Sequence, residues 1–387
     1  LHLYQFGRSL EMLDLSACGS ADEMLEMVGE ACAHKPAGSL VIADKARPEA
    51  WGTDGRSPGW PTLADLDRVT RGEGGPVALC GWCFDYHALT GVLYESAAGA
   101  FWEALPDPDL DRADEVLMSG VDALRVHGFV GADDLKAQPW LGTRLAGLAD
   151  EGRLGDFAVH LWPLVEDLDT LWTTRREWER DTVRLGGGKI FVDGTLNSRT
   201  AWMLHDYADS QTAGRPGHPR GLPMMTPTQI EDAVRRCDAL GVPLAAHAIG
   251  DAAVRAVLDA VEKVNPRTPG FRIEHAELVD EADVPRFAHL GVICSVQPCH
   301  LLYDIEALRR AVPDRLDRVL PLRSLIGAGC EPGRGLIFGS DAPIVRPDPG
   351  DSVQAAVERR RVGMEEGEAV GLGEAIPADI AWRCFGL

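Results

Sequence analysis

From about residue 120 onward, short apolar runs alternate with amphipathic stretches. The runs fall at Val126–Ala132, Phe157–Leu164, Lys189–Val192, Val242–His247, Phe271–His275, Gly291–Val296 and Leu336–Gly339. All are of strand length, and the stretches between them carry helix signals. Thr226-Pro227 marks one start, with proline in the first turn, and Thr228 stands three residues before Glu231 at capping-box spacing. Ile230, Val234, Cys237 and Leu240 then recur at helical intervals, and Gly241 suits the stop. Asp251 suits the cap of the next helix, whose apolar face is Val254, Val257, Leu258 and Val261, with Pro266 beyond its end. Strand and helix in repeated alternation predict βαβ units and a parallel sheet. The count is seven strands, one short of a closed eight-stranded barrel.

Residues 17–112 break this rhythm. They offer a helix at Ala21–Ala33, strands at Ser39–Ala43 and Pro76–Cys80, and a turn-rich segment at Pro48–Pro61. The expected organisation is therefore a barrel start at 1–16, an inserted α+β region at 17–112, and the rest of the barrel at 113–387. A chain of 387 residues accommodates this, since an α/β barrel takes about 250 residues.

Composition narrows the function. Hydrophobic residues at 45% and charged residues at 25% are ordinary for a globular chain and argue against disorder over most of it. The 38 basic and 60 acidic residues leave a net charge of −22. That balance argues against a nucleic-acid or anionic-membrane partner, which needs concentrated Lys and Arg. No apolar run approaches the span of a bilayer. Nine scattered cysteines suit reduced thiols in a cytoplasm better than a disulfide framework. Cys80-Gly-Trp-Cys83 has redox or metal spacing, but with no second such pair it reads as packed thiols. The chain opens Leu1-His2-Leu3 and stops just after a helical stretch, so both ends are expected to be cut.

The candidate chemistry lies at the strand ends. Five strands are expected to end in, or to hold near their end, a metal-competent or basic group: Lys189 in GGGKIFVDG, His247 in PLAAHAIGD, His275 in RIEHAE, Asp341 in IFGSDAP, and His300 after SVQPCH. Singly, each reads as a hydrogen-bonded rim residue or a salt-bridged surface group. In a parallel barrel, strand ends converge on one mouth, and imidazoles with a carboxylate there form a zinc-type ligand set.

The blocks KIFVDGTLNSRTA, HAIGDAAVRAVLDA, RIEHAELVD and GSDAP resemble the amidohydrolase superfamily, in particular its YtcJ-like branch, which includes N-substituted formamide deformylases. The resemblance runs from residue 1 to the end and implies a (β/α)8 TIM-type barrel of the metal-dependent hydrolase kind. Family members carry His-x-His at the end of the first strand. Here only His2-Leu3 matches, so the first His would fall one position before Leu1, and the first strand and a flanking β-sandwich would lie outside the sequence. On that reading the chain by itself is a damaged barrel, expected to aggregate or to bind metal well below one equivalent.

The resemblance further implies one or two divalent metal ions, zinc foremost. His2 would hold the first metal and His247 and His275 the second. Lys189, carrying carbon dioxide as a carbamate, would bridge them. Asp341 would bind the first metal and carry a proton from attacking water to the leaving nitrogen. Asp193, Arg199, Gln297 and His300 would lie near the mouth as substrate contacts, and His87 matches a position in the branch's insert. The implied reaction is hydrolysis of a C–N bond in a small amide, N-formyl or N-acyl amines leading. An esterase or lactonase on the same centre, and a metal-free barrel used for binding, stay open. A homodimer is expected only because symmetric dimers are common.

Overall fold

The computed structural model describes residues 1–35, 41–46, 51, 61–70, 77–81, 110–211 and 217–385. Cys83, His87 and most of the turn-rich segment 48–61 lie outside them. The chain divides into two compact units, Gly7–Leu110 and the pair of segments Leu1–Phe6 and Asp111–Leu387.

In the smaller unit three short strands, β1 (Leu13–Asp14), β2 (Val41–Ala46) and β3 (Val77–Gly81), pair in parallel in that order. The expected helix Ala21–Ala33 is present, and the Ser20 side chain accepts from the Glu23 N–H at its start. Met24 and Val28 on its inner face pack with Leu15, Ala43 and Ala46.

The larger unit is built on β4 (Gly131–Asp134), β5 (Ala158–Leu161), β6 (Val183–Leu185), β7 (Gly188–Phe191), β8 (Leu244–Ala248), β9 (Arg272–His275), β10 (Ile293–Val296) and β11 (Leu336–Phe338). All pair in parallel, as β4-β5-β6 and as β7 to β11 in sequence order. A parallel bridge from Leu164 to Lys189 continues the β5–β6 pairing into β7. The segments β6 and β7 are thus one barrel line broken at Gly186-Gly187. Glycine is needed there, because a Cβ on Gly186 would sit 2.3 Å from Trp162 Nε1 and one on Gly187 2.3 Å from the Pro243 carbonyl oxygen. Between β4 and β11 lies the chain start. The Leu1 amine donates to the Asp133 carbonyl, the Leu135 N–H donates to the Leu1 carbonyl, and the His2 N–H donates to the Ala342 carbonyl. The architecture is a TIM-type α/β barrel.

Three local readings are corrected. The expected strand Val126–Ala132 is the end of helix Leu110–Val126 and a turn; Val126 and Val130 are exposed, and pairing begins at Gly131. Helix Pro227–Leu240 is capped by Thr226, not Thr228. Proline occupies its first helical position, so the cap must precede it, and Thr226 and Gln229 form the reciprocal box. Asp251 is the first residue of helix Asp251–Val264, with Gly250 as its cap; the Asp251 carboxylate instead accepts from the Leu204 N–H at 2.7 Å.

Register assigns the two faces of the sheet. On one face Ile190, Leu244, Ala246, Ala248, Ile273, Cys294, Val296, Leu336 and Phe338 join the core formed with the helices. The other face carries Lys189, Phe191, His247, Arg272, Glu274 and Ser295 in matching rows. Parallel sheets covered on both sides usually read as continuous apolar runs; here the inner face is polar. The described cysteines are free thiols, and no described helix is long and apolar enough to cross a membrane.

Candidate metal centre

The polar inner face is organised from the bottom up. Arg272 and Glu274 are two residues apart on β9 and therefore share that face. Arg272 reaches Asp133 of β4 at 2.5 Å and Glu274 at 2.6 Å, and its guanidinium lies over the Trp162 ring at 4.1 Å. The Ser295 hydroxyl donates to Glu274 at 2.7 Å. Lys189 is almost wholly buried on the same face, with its amine 4.9 Å from the centre of the Phe191 ring. Burial lowers its ammonium to about 8, while the nearby Glu274 and Asp341 act in the opposite direction. A fraction of this lysine is therefore an uncharged amine near neutrality.

The next layer toward the strand ends holds the imidazoles. His247 shares the Lys189 face by register. Strict alternation would turn His275 to the helix side, since it pairs beside Ala248. Its left-handed backbone (φ 75°) re-aims it, and its ring lies 4.5 Å from that of His247. Asp341, three residues beyond β11, is left-handed too (φ 55°). Non-glycine residues in this region carry strain, which clusters at functional sites. Asp341 faces His2 at 4.0 Å. His2 is positioned by its own N–H and by the Asp134 carboxylate, which accepts from the Leu3 N–H at 2.9 Å.

Burial holds these imidazoles neutral: His2 is lowered to about 3, His247 to about 4, and His275 well below its ordinary value. For Asp341 burial acts upward, yet its carboxyl lies well below the usual range: Asp341 acts upward on His275 and His2, and they act downward on it in return. Neutral imidazoles, an anionic carboxylate and a lysine able to shed its proton are the protonation states a dication requires. The nitrogen geometry agrees. His247 Nε2 lies 3.0 Å from the Gly194 carbonyl, so it carries the proton and Nδ1 is left as the donor lone pair. His2 Nδ1 and His275 Nδ1 are buried without a hydrogen-bond partner, and each such nitrogen costs about 1–3 kcal/mol unless something coordinates it. The residues fit a metal.

The four expected substrate contacts fare differently. Asp193 is buried; Oδ1 accepts from the Ile249 N–H and Oδ2 from those of Trp202 and Gly250, and Oδ1 lies 3.5 Å from His247 Nε2. Burial raises its carboxyl to about 7 against those bonds. Arg199 is directed at Asp209 and at the carbonyls of Leu196 and Asn197. Gln297 follows β10, buried, with Oε1 lacking a hydrogen-bond partner. His300 stacks on His275 at 5.9 Å and lies 3.8 Å from Glu277.

Sequence reasoning missed Arg272, Glu274 and Asp133 beneath the site and Glu277 and Asp304 beside it. The alternation Arg-Ile-Glu on β9 was a usable signal, because two charges flanking a core isoleucine demand a polar interior. Among the described residues, Glu277, His300 and Asp304 form the group of potential ligands whose donor atoms all lie within 4.8 Å of one another.

Comparison with known proteins gives the family. A family model described as "Amidohydrolase family" matches residues 84–379. YtcJ of Bacillus subtilis (strain 168), named as an amidohydrolase, is 26% identical over all of this chain and 76% of its own length. The N-substituted formamide deformylase of Arthrobacter pascens is 26% identical over 94% of this chain and 72% of its own. The crystal structure of an uncharacterised metal-dependent hydrolase from Pyrococcus furiosus is similar with a TM-score of 0.70 and 28% identity, covering 98% of this chain and 78% of that one. With a family model matching most of its length and a parallel barrel fold in agreement, this chain belongs to the amidohydrolase family.

Proposed function

We propose that this hydrolase cleaves a C–N bond in a small amide, with N-formyl and N-acyl amines as its substrates. The observation that carries the reading is the buried pair His247 and His275 beside Lys189 and Asp341. Its likeness to a protein named as a formamide deformylase supports the substrate class.

His2, Lys189, His247, His275 and Asp341 would hold one or two divalent ions, zinc foremost, with Lys189 as its carbamate. When bound, such ions polarise a carbonyl and make hydroxide available near neutral pH. The lysine ammonium sheds one proton, and the freed amine adds to carbon dioxide with loss of a second, which turns a buried cation into an anion. Asp341 takes the proton of the attacking water and delivers it to the departing nitrogen; an amine leaves only once protonated. Gln297, through its buried oxygen, orients the substrate at the mouth. The protein works in the cytoplasm, where its buried thiols stay reduced, and as a homodimer.

The test is hydrolysis by the full chain, supplied with zinc and bicarbonate, of an N-formyl amine, an N-acetyl amine and a phenyl ester. Release of amine with the ester the poorer substrate is expected. A phenyl ester turned over far better than either amide would overturn the C–N assignment. Full metal content with no turnover of any of the three would favour a binding role.

A further inference from the structure

Beside the paired imidazoles lies a second group that this reaction does not use. Glu277 stands two residues beyond β9, His300 ends the turn Pro298–His300, and Asp304 lies one helical turn on, in the helix Leu301–Ala311. We propose that Glu277, His300 and Asp304 bind one divalent transition-metal ion at a site of their own, separate from the proposed hydrolytic centre.

Charge is the first argument. All three side chains are buried. Among the described residues neither carboxylate forms an ion pair with a lysine or arginine; their polar side-chain partners are His300 for Glu277 and Asn197 for Asp304. Two buried carboxylates facing one imidazole are costly unless a cation joins them. Two carboxylates and a neutral imidazole balance one dication.

Geometry is the second. His300 Nδ1 and Glu277 Oε1 are 3.8 Å apart, too far for a direct hydrogen bond. Donors around a tetrahedral ion with bonds of about 2.0–2.1 Å stand roughly 3.3–3.4 Å apart, so a small side-chain rotation brings these two into register. His300 and Asp304 are four residues apart on one helical face, the spacing by which a helix presents two ligands to one ion. Asp304 is also oriented from outside the group. Asn197, in the loop after β7, donates to Asp304 Oδ1 at 2.6 Å and leaves the other oxygen for the ion, as outer hydrogen bonds do at metal sites. One nitrogen and carboxylate oxygens suit zinc, manganese or ferrous iron. Three donors are too few for calcium, which takes six to eight oxygens. A cation here would tie the loop after β7 to the turn after β10, both at the mouth of the barrel.

The full chain, stripped with a chelator, would be titrated with Mn2+ followed by electron paramagnetic resonance, and with Zn2+ counted by mass spectrometry. The double variant Lys189→Ala/His247→Ala, which removes the proposed hydrolytic centre, should still bind about one equivalent. Adding Asp304→Asn, which keeps the shape of the side chain, should abolish that equivalent, and Asn197→Ala should weaken it at least ~10-fold. A double variant that keeps the native circular dichroism and melting transition yet binds no metal would overturn the site. So would an Asp304→Asn triple variant that binds as the double variant does. Equal metal content in the wild type and the double variant would count against the hydrolytic centre while leaving this site standing.

Discussion

Asp193 offers the sharpest test of how the barrel mouth is assembled. Its carboxylate accepts the N–H groups of Trp202 at 2.8 Å, Ile249 at 3.0 Å and Gly250 at 2.9 Å, so one buried side chain fastens the loop after β7 to the loop after β8. Replacement by alanine strands three buried donors, each costing about 1–3 kcal/mol. Allowing for partial relaxation, the expected loss is about 3–6 kcal/mol, a large part of the roughly 5–15 kcal/mol that holds a typical domain together. At roughly 2–4 °C per kcal/mol the melting temperature should fall by 6 °C or more. Asparagine retains one oxygen. It can point that oxygen at Trp202 and Gly250, but its amide then faces the Ile249 N–H, and a loss of about 1–3 kcal/mol is expected. Both variants would be melted by scanning calorimetry at pH 8, above the raised value of Asp193, so that the wild type is ionised. An alanine variant that melts within about 2 °C of wild type while its KM rises would refute the clamp. Asp193 would then be a substrate contact.

Lys189→Ala should lose most bound metal at the proposed hydrolytic centre, and short carboxylic acids should restore part of the rate; unchanged metal content and rate would remove the lysine from the site. Asp341→Asn keeps an oxygen ligand but accepts no proton, so kcat should fall at least ~100-fold while much of the metal stays; a rate near wild type would mean that another group carries the proton. The fourth prediction concerns pH. His160 Nδ1 lies 2.9 Å from Asp133, and that bond raises its pKa above the ordinary value despite partial burial. The stabilisation is complete below about pH 6.5 and is lost as pH rises through the raised value; solvent screening keeps it below about 1 kcal/mol. The wild type should therefore lose more melting temperature between pH 6 and pH 8.5 than His160→Gln does, as paired thermal melts would show.

Much of this molecule was legible in one dimension. The alternation of short apolar runs with amphipathic stretches required a parallel α/β sheet, because each strand must be covered and each helix must bury its stripe. Gly241, left-handed at φ 72°, ends its helix as expected, since a residue without Cβ adopts that conformation at little cost. Local rules failed where two neighbours competed for one role. Thr226 and Thr228 both had a partner three residues on, and the position of Pro227 decided between them. The run from Val126 was apolar enough for a strand, yet the preceding helix claims Val126 and the turn leaves Val130 in solvent.

The candidate centre was legible only in part. The sequence by itself showed histidines and an aspartate at or just after successive strand ends, which converge in a parallel barrel; Lys189, read with them, is instead the second residue of β7, one layer below the imidazoles. The sequence could not show that His275 breaks alternation to meet His247, that Arg272 and Asp133 pair across the barrel interior from 139 residues apart, or that Glu277 meets His300 and Asp304. Periodicity and capping depend on neighbours within about four residues. The aim of a strained side chain and the pairing of buried charges depend on what faces them across the barrel, which only the closed tertiary structure decides.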